Sequence, residues 1–167
     1  MTIKTIFLDR DGVINKEINY LHKIEDFEFI DGVFEACQYL KSLDYKIIII
    51  TNQSGISRGY FTERDFQTIT NWMLTEFKKK DIKILDVFHC PHSPNSNCNC
   101  RKPMPGMLLE AKYKHNIDMV TSWMIGDSER DIRAANLAGI KNTILVRSGH
   151  KINESKSNAM FFLDSIN

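Results

Sequence analysis

The chain lacks an excess of either charge, because its 167 residues include 22 basic and 21 acidic side chains. This balance gives no electrostatic reason to expect nucleic acid or an anionic membrane surface as a partner. No apolar run approaches the length of a membrane span, and Lys4 interrupts any signal-like start. We therefore expect a cytoplasmic protein with neither a nucleic-acid nor a membrane partner, and we expect it to be a monomer.

The chain also lacks internal repeats, low-complexity segments and any linker that would divide it, and it has only 4 prolines and 8 glycines. A chain of this length forms one domain with a substantial core. The sequence therefore predicts a single domain over residues 1–167.

Segments typical of strands alternate along the chain with segments typical of helices. Strands are predicted over residues 3–8, 45–50, 84–89, 120–125 and 143–146, and helices over 32–43, 62–77, 107–113 and 131–138. This alternation favours an α/β fold with a doubly wound, mostly parallel sheet. Only 39 residues separate Asp11 from Thr51, and 50 separate Thr51 from Lys102. Neither interval has room for a separate cap domain, so we expect an open site covered by loops.

Two carboxylates, Asp9 and Asp11, end the apolar run 3–8 just before Gly12. In open α/β sheets, ligands bind beyond the carboxyl ends of the strands. Two carboxylates held close together need help to stay ionised, and a divalent cation is the usual help. Taken alone, the pair is equally compatible with a solvated loop.

Further polar residues follow the pair in a characteristic order. Thr51 ends the second strand-like run, Lys102 follows in Cys100-Arg101-Lys102-Pro103, and Asp127 ends the run 120–125. This order resembles the haloacid dehalogenase-like phosphohydrolases. The segments Asp9–Gly12, Thr51–Gly59, Cys90–His92 and Cys98–Met107 are similar to the branch that dephosphorylates heptose bisphosphates, with histidinol-phosphate phosphatases as the nearest relatives. The resemblance covers about residues 6–149 and implies a Rossmann-like fold.

The resemblance also implies a chemical role for each of these residues. Asp9 would be the nucleophile that forms an aspartyl-phosphate, and Asp11 the general acid and base. Thr51 would supply a hydroxyl to the phosphate, and Lys102 a fixed positive charge. Magnesium would be held by Asp9, the main-chain carbonyl of Asp11, and Asp127.

The implied reaction is hydrolysis of the 7-phosphate of D-glycero-D-manno-heptose 1,7-bisphosphate, in the synthesis of nucleotide-activated heptose for lipopolysaccharide or surface polysaccharide. Histidinol phosphate is the alternative substrate. Two other classes are a nucleic-acid 3′-phosphatase, which the near-zero net charge disfavours, and a non-catalytic zinc-stabilised module, which the complete set of catalytic residues disfavours. The residues predicted to contact the small-molecule sugar bisphosphate are Glu17, Ile18, Asn19, Tyr20, Asn52, Gln53, Ser54, Arg58 and Arg101.

A second constellation consists of Cys90, His92, Cys98 and Cys100. Three thiolates and one imidazole, in the pattern C-x-H…C-x-C, match a tetrahedral structural zinc site. Disulfides are the rival interpretation, but the cytoplasm is reducing and His92 would then have no role. We expect zinc to fold the loop that delivers Arg101 and Lys102.

The remaining candidates have simpler interpretations. Asp131 either supports the metal from outside its ligand shell or caps a helix. Core packing is expected for Cys37 and for the stripe of Phe66, Trp72 and Phe77, and packing at a strand end for His89. No partner is recognisable at a regular spacing from His22, His115 or His150.

Overall fold

A six-stranded, wholly parallel sheet forms the centre of the protein in a computed structural model that describes residues 1–167. The strands are β1 (Thr5–Leu8), β2 (Lys46–Asn52), β3 (Ile84–Cys90), β4 (Trp123–Gly126), β5 (Asn142–Val146) and β6 (Phe161–Leu163), in the spatial order β3-β2-β1-β4-β5-β6. The helices are α1 (Val33–Ser42), α2 (Glu63–Lys79), α3 (Gly106–His115) and α4 (Glu129–Leu137), with short 3₁₀ turns at Ile24–Asp26 and Glu154–Lys156. The predicted doubly wound parallel α/β fold is confirmed.

The central strands are apolar throughout because helices cover both faces of the sheet. In β1, Ile6 and Leu8 belong to a core of 18 buried residues that includes side chains of α1 and α2. Phe7 points the opposite way, into a core of 15 buried residues that includes side chains of α3 and α4. Two buried layers therefore fix the central strands rigidly beneath their carboxyl ends.

Local sequence signals set the start of two helices. The Thr62 hydroxyl accepts from the Asp65 main-chain N–H, and the Asp65 carboxylate accepts in return from the Thr62 N–H, which forms a capping box. Ser128 and Asp131 form a second capping box at the start of α4. The predicted burial of Cys37, Phe66 and Phe77 is confirmed, whereas Trp72 is only half-buried.

One expectation about the strands was wrong, and one strand had no sequence prediction. The strand predicted from residue 120 begins only at Trp123, because Val120 and Thr121 both donate hydrogen bonds to the Asp118 carboxylate in a turn. The edge strand β6 was not predicted, since three residues with two exposed side chains carry too little pattern.

The order of the strands places the functional segments at one point. β1 pairs with β2 on one side and with β4 on the other. The connection after β1 therefore runs towards one edge of the sheet, and the connection after β4 runs towards the other edge. The Asp9 N–H donates to the Ile125 carbonyl at 3.0 Å, which ties the end of β1 to β4. Such a switch point is where open α/β sheets bind ligands. No helix is long and apolar enough to cross a membrane.

Candidate active site

A polar cavity of about 320 Å³ opens at this switch point, and only three of the residues that line it are hydrophobic. It is lined by Asp9, Asp11, Glu17, Ile18, Asn19, Tyr20, Leu21, Asn52, Gln53, Ser54, Gly55, Arg58, Pro94, Arg101, Lys102, Asp127, Ser128, Arg130, Asp131 and His150. The structure thus brings together every catalytic, magnesium and substrate residue expected from the sequence except Thr51. A lining of this kind suits a small, strongly polar ligand.

Lys102 is buried at the base of the cavity, where all three of its ammonium protons have acceptors. Its Nζ lies 2.9 Å from Asp9 Oδ1, 2.6 Å from Asp131 Oδ1 and 2.8 Å from the Ile50 carbonyl oxygen. Burial alone would lower the pKa of Lys102, but Asp131 and Asp9 raise it by more. The lysine is therefore a permanent positive charge against Asp9.

Asp9 Oδ1 also accepts a hydrogen bond of 2.8 Å from the Arg10 main-chain N–H. With Lys102 on the same oxygen, Oδ2 is left without a hydrogen-bond donor. Burial, and next the Asp131 carboxylate, hold the pKa of Asp9 well above its ordinary value. Ionised Asp9 thus needs positive charge in addition to Lys102.

Asp131 combines two contacts. It caps α4, one of the two roles that the sequence left open, since its Oδ2 accepts from the Ser128 N–H at 3.1 Å. Its Oδ1 binds Lys102, a pairing that the sequence did not reveal because the two residues lie far apart in the chain. Asp131 therefore fixes Lys102 with respect to α4.

Asp9, Asp127 and Asp131 bring carboxylate oxygens within 4.8 Å of one another. Asp127 is fully buried, yet its Oδ1 has no hydrogen-bond partner. Three carboxylates face one lysine here, and a divalent cation would balance the two negative charges that remain. An all-oxygen donor set with an unsatisfied buried oxygen fits magnesium.

His150, which the sequence left without a partner, contacts Asp127. Its main-chain N–H and its Nδ1 lie 2.8 Å and 2.6 Å from the same oxygen, Asp127 Oδ2. Burial raises the pKa of Asp127, but the hydrogen bonds from His150 lower it by more, and the same contact raises the pKa of His150. No sequence spacing could have shown this pairing, because the two residues are 23 positions apart and only the loop after β5 brings them together.

Asp11 is held by three side chains. Arg10, which is 1% exposed, forms a forked contact of 3.1 Å to each carboxylate oxygen. Asn15 donates to Oδ1 at 2.9 Å, and Gln53 donates to Oδ2 at 3.1 Å. The orientation of Asp11 is therefore fixed by segments that follow both β1 and β2.

Thr51 lies below the cavity and does not line it. It is fully buried, and its Oγ1 accepts a hydrogen bond of 2.8 Å from Gln53 Nε2. Asn52 has a related internal role, because its side-chain amide donates to the Lys102 carbonyl and accepts from the Lys102 N–H. The end of β2 therefore supports Asp11 and the main chain of Lys102.

The segment predicted as the substrate loop forms one wall. Tyr20 adopts a φ of 58°, and its ring packs edge-on against Tyr60 with centroids 4.5 Å apart. The Arg58 guanidinium lies 5.9 Å from the Tyr20 ring centroid. Burial and the Asp11 carboxylate raise the pKa of Glu17 to about 7.

Three arginines also line the cavity. Arg58, Arg101 and Arg130 all line the cavity, and burial together with the other two arginines lowers the pKa of Arg101. Arg130 was not expected from the sequence, where it reads as an ordinary first-turn residue of α4. None of the three arginines forms an ion pair with a carboxylate, so their guanidinium groups remain available to a bound anion.

The four predicted zinc ligands converge. His92 Nδ1 lies 3.4 Å from Cys90 Sγ and 3.2 Å from Cys100 Sγ, and Cys90 Sγ lies 3.7 Å from Cys98 Sγ. Zinc–sulfur bonds of about 2.3 Å in a tetrahedron place two sulfur atoms about 3.8 Å apart. The Cys90–Cys100 separation is shorter, at 2.9 Å, and all four cysteines of the chain are free thiols. The donor set fits zinc.

Two other histidines have partners remote from the cavity. His115, for which no partner was expected, lies 2.7 Å from Asp86 Oδ2. His89 packs at the end of β3, as predicted, where its ring stacks on Phe66 and its Nε2 lies 2.5 Å from Glu63. Both contacts join β3 to a helix.

The comparisons with known proteins agree with this geometry. A profile of the HAD-hydrolase-like family matches residues 99–166. The chain is 48% identical over 165 residues to a D-glycero-alpha-D-manno-heptose-1,7-bisphosphate 7-phosphatase of Photorhabdus laumondii, covering 95% of this chain and 90% of the relative. It is 50% identical over 162 residues to the enzyme of the same name from Campylobacter jejuni, covering 97% and 90%.

An Escherichia coli K12 enzyme named for the beta anomer is 44% identical, covering 95% of this chain and 86% of the relative. Among solved structures, a D,D-heptose 1,7-bisphosphate phosphatase from B. bronchiseptica superimposes with a TM-score of 0.85. It shares 29% identity, covers 98% of this chain and 94% of its own, and was crystallised with magnesium and phosphate.

Proposed function

This chain belongs to the heptose-1,7-bisphosphate 7-phosphatases of the haloacid dehalogenase-like hydrolases, and from that premise we propose how it acts. It is a phosphoric monoester hydrolase that removes the 7-phosphate of D-glycero-D-manno-heptose 1,7-bisphosphate through an aspartyl-phosphate. Its product serves the synthesis of nucleotide-activated heptose for lipopolysaccharide or surface polysaccharide.

One observation carries the assignment of the nucleophile. Asp9 Oδ1 is held by Lys102 and by the Arg10 N–H, while Oδ2 has no donor and lies in a polar cavity beside Asp127. A carboxylate with one oxygen fixed and the other free is oriented for in-line attack on a phosphorus atom. Lys102 would also neutralise charge on the transferred phosphoryl group.

Asp11 is the proposed general acid and base. It would protonate the leaving sugar oxygen as the aspartyl-phosphate forms, and then deprotonate the water that hydrolyses this intermediate. The contacts from Arg10, Asn15 and Gln53 support this role, because they orient the carboxylate without blocking its place in the cavity lining.

Asp9, Asp127 and the main-chain carbonyl of Asp11 are the proposed magnesium ligands. The bound ion would supply charge stabilisation to the phosphoryl oxygens. The unpartnered, buried Oδ1 of Asp127 supports this ligand set. Asp131 serves the site through Lys102 instead.

Arg58, Arg101 and Arg130 are proposed to hold the phosphate that is retained. They line the same cavity as the catalytic residues, and their mutual repulsion falls when a dianion binds between them. Glu17, Ile18, Asn19 and Tyr20, which also line the cavity, would contact the sugar.

Zinc held by Cys90, His92, Cys98 and Cys100 is proposed to be structural. Four protein donors leave no open coordination position, and Arg101 and Lys102 follow the last ligand directly. A cytoplasmic location is proposed with it, because a reducing compartment keeps cysteines available to zinc.

Phosphate release from a substrate panel tests the proposal. The panel contains both anomers of the heptose 1,7-bisphosphate, since relatives are named for each, together with fructose 1,6-bisphosphate and histidinol phosphate. A heptose bisphosphate should give the highest kcat/KM, and Asp9→Asn should lower it by orders of magnitude while the fold remains intact. Faster turnover of histidinol phosphate would overturn the substrate assignment, and near-normal activity of Asp9→Asn would overturn the assignment of Asp9 as the nucleophile.

A further inference from the structure

The loop after β5 brings two hydrogen-bond donors of His150 to Asp127, the proposed magnesium ligand. Both donors, the main-chain N–H at 2.8 Å and Nδ1 at 2.6 Å, point to Oδ2. Because an ionised carboxylate only accepts, the Nδ1 atom of His150 must carry the proton. The result is an asymmetric carboxylate, with Oδ2 fully engaged and Oδ1 without any partner.

The backbone on either side of Asp127 reinforces this asymmetry. A Cβ atom placed on Gly12 or on Gly149 would overlap Asp127 Oδ2, and Gly12 has a φ of +85°. The two glycines therefore let the main chain close around Oδ2, and the carboxylate has no space in which to rotate. Ser148 fastens the same loop to the first one, because its hydroxyl donates to the Gly12 carbonyl at 2.7 Å.

The side chain of His150 does not stabilise the core. It is 47% exposed, whereas Asp127 is fully buried, so its removal leaves no internal void. The imidazole makes one hydrogen bond to another side chain, and that side chain is Asp127. A half-exposed imidazole that donates to a buried carboxylate with one free oxygen matches the outer partner that orients a metal-ligating group.

We propose that His150 is a positioning residue for the cation site: it holds Asp127 Oδ2 so that Oδ1 alone faces the magnesium ion. This inference rests on the proposed function, because it assumes that Asp127 binds the cation. It adds a residue that touches neither the ion nor the phosphorus atom and that acts through Asp127.

The chain offers a matched set of variants. His150→Ala removes the imidazole donor and keeps the main-chain donor. His150→Asn places an amide nitrogen where Nδ1 stands, so it restores the donor within a smaller side chain. Lys151→Ala is the control, because Lys151 is the next residue, is exposed, and makes no hydrogen bond or ion pair.

Two measurements separate positioning from a structural role. Magnesium affinity is measured directly, by calorimetric titration with magnesium chloride of the chain that contains zinc but no magnesium. The melting temperature is measured in magnesium-free buffer. We expect His150→Ala to weaken magnesium binding by about 10-fold or more, as is typical when an outer partner of a metal ligand is lost. Because the half-exposed imidazole leaves no void, we expect its melting temperature without magnesium to fall only by the small amount that one lost hydrogen bond to Asp127 costs, so the variant stays folded throughout the titration.

Rescue completes the test. His150→Asn should recover most of the magnesium affinity, and saturating magnesium should return kcat of His150→Ala close to that of the unaltered chain. Unchanged magnesium affinity in His150→Ala, or an Asn variant as weak as the Ala variant, would overturn the inference while leaving the proposed function in place. Absence of magnesium binding by the unaltered chain would overturn both.

Discussion

The buried ammonium group of Lys102 explains how the protein tolerates several charges in one site. An ammonium group removed from water is costly unless every proton is accepted and its charge is paired. Lys102 is 3% exposed, and Asp9, Asp131 and the Ile50 carbonyl take its three protons. Its position is therefore fixed before any substrate arrives, which is the preorganisation that phosphoryl transfer requires.

Arg101 permits a sharp test of substrate recognition. If its guanidinium clamps the retained phosphate, Arg101→Ala should lower kcat/KM for the heptose bisphosphate far more than for a sugar monophosphate. A charge-assisted contact of this kind contributes about 2 kcal/mol, so the ratio of the two kcat/KM values should fall roughly 30-fold.

Arg133→Ala is the matched control, because Arg133 lies exposed on α4 and does not line the cavity. It makes the same change in net charge, so it reports the long-range electrostatic effect alone. An equal loss on both substrates in Arg101→Ala would assign Arg101 to general phosphate attraction and contradict the clamp.

At the scale of elements, the segment between β3 and α3 is ordered by its thiols and by main-chain contacts to the loop after β2. Gln53 and Ser57 donate main-chain hydrogen bonds to the carbonyls of Cys90 and Pro91, at 2.7 Å and 3.2 Å. Gly106 donates to the Asn99 carbonyl at 2.8 Å, which closes the segment onto the start of α3. The proposed zinc site thus lies between Gln53 and the segment that carries Lys102.

Loss of one zinc ligand should therefore affect stability and catalysis together. The purified chain should contain about one zinc ion. Cys98→Ser should reduce the zinc content, lower the melting temperature and lower kcat, since Lys102 would lose the anchor of its loop. Elemental analysis, thermal melting and phosphate release measure the three effects, and Cys37→Ser separates ligand loss from the loss of a thiol. A zinc-free preparation with unchanged melting and kinetics would contradict the structural role.

A second connection between elements, β3 to α3, depends on pH. Burial raises the pKa of Asp86, but hydrogen bonds from Lys114 and His115 lower it by more. Because the pKa of this carboxyl is lower in the folded chain than in the unfolded chain, where it is near 4, the ionised carboxylate stabilises the fold at any pH above about 4. This stabilisation is lost as the pH falls through the folded-state pKa. Asp86→Asn should lower the free energy of unfolding by up to about 1 kcal/mol at pH 7.

The difference between Asp86→Asn and the unaltered chain should begin to shrink below about pH 4, where the unfolded carboxyl becomes neutral, and should disappear once the pH has fallen below the lower folded-state pKa. Denaturant titrations at several pH values measure it. Asp44→Asn is the control, since Asp44 is exposed and lies 3.7 Å from Lys46. A difference that persists unchanged in acid would mean that Asp86 acts by packing and not by charge.

At the scale of the whole molecule, the sequence was sufficient wherever a signal is local. Apolar runs predicted the five longer strands, and the helical spacing over residues 62–77 predicted α2, because such periods depend on neighbouring residues. The order of acidic and basic residues predicted that Asp9, Lys102 and Asp127 share the cavity, since parallel strands end at one edge, whereas the hydroxyl residue Thr51 does not line it.

The contacts that the sequence did not reveal depend on the tertiary arrangement of the elements. His150 reaches Asp127 and Lys102 reaches Asp131 only after the sheet has ordered β4 between β1 and β5. The position of Thr51 below the cavity depends on the side chain of Gln53, which no spacing rule describes. Partners chosen by tertiary geometry leave no periodic trace in a single sequence.

Magnesium binding should stabilise the whole fold, because its proposed ligands come from the ends of two strands, Asp9 after β1 and Asp127 after β4. An unfolded chain does not hold these carboxylates together, so binding favours the folded state by mass action. At a magnesium concentration 100-fold above the dissociation constant, the gain is about 2.7 kcal/mol. For a chain of this size, that gain corresponds to a rise in melting temperature of about 5–10 °C. Thermal melting across a magnesium chloride series measures the rise, with potassium chloride at equal ionic strength as the control for screening. Asp127→Asn should abolish the rise, and an equal rise in potassium chloride would show that the stabilisation is not due to a bound cation.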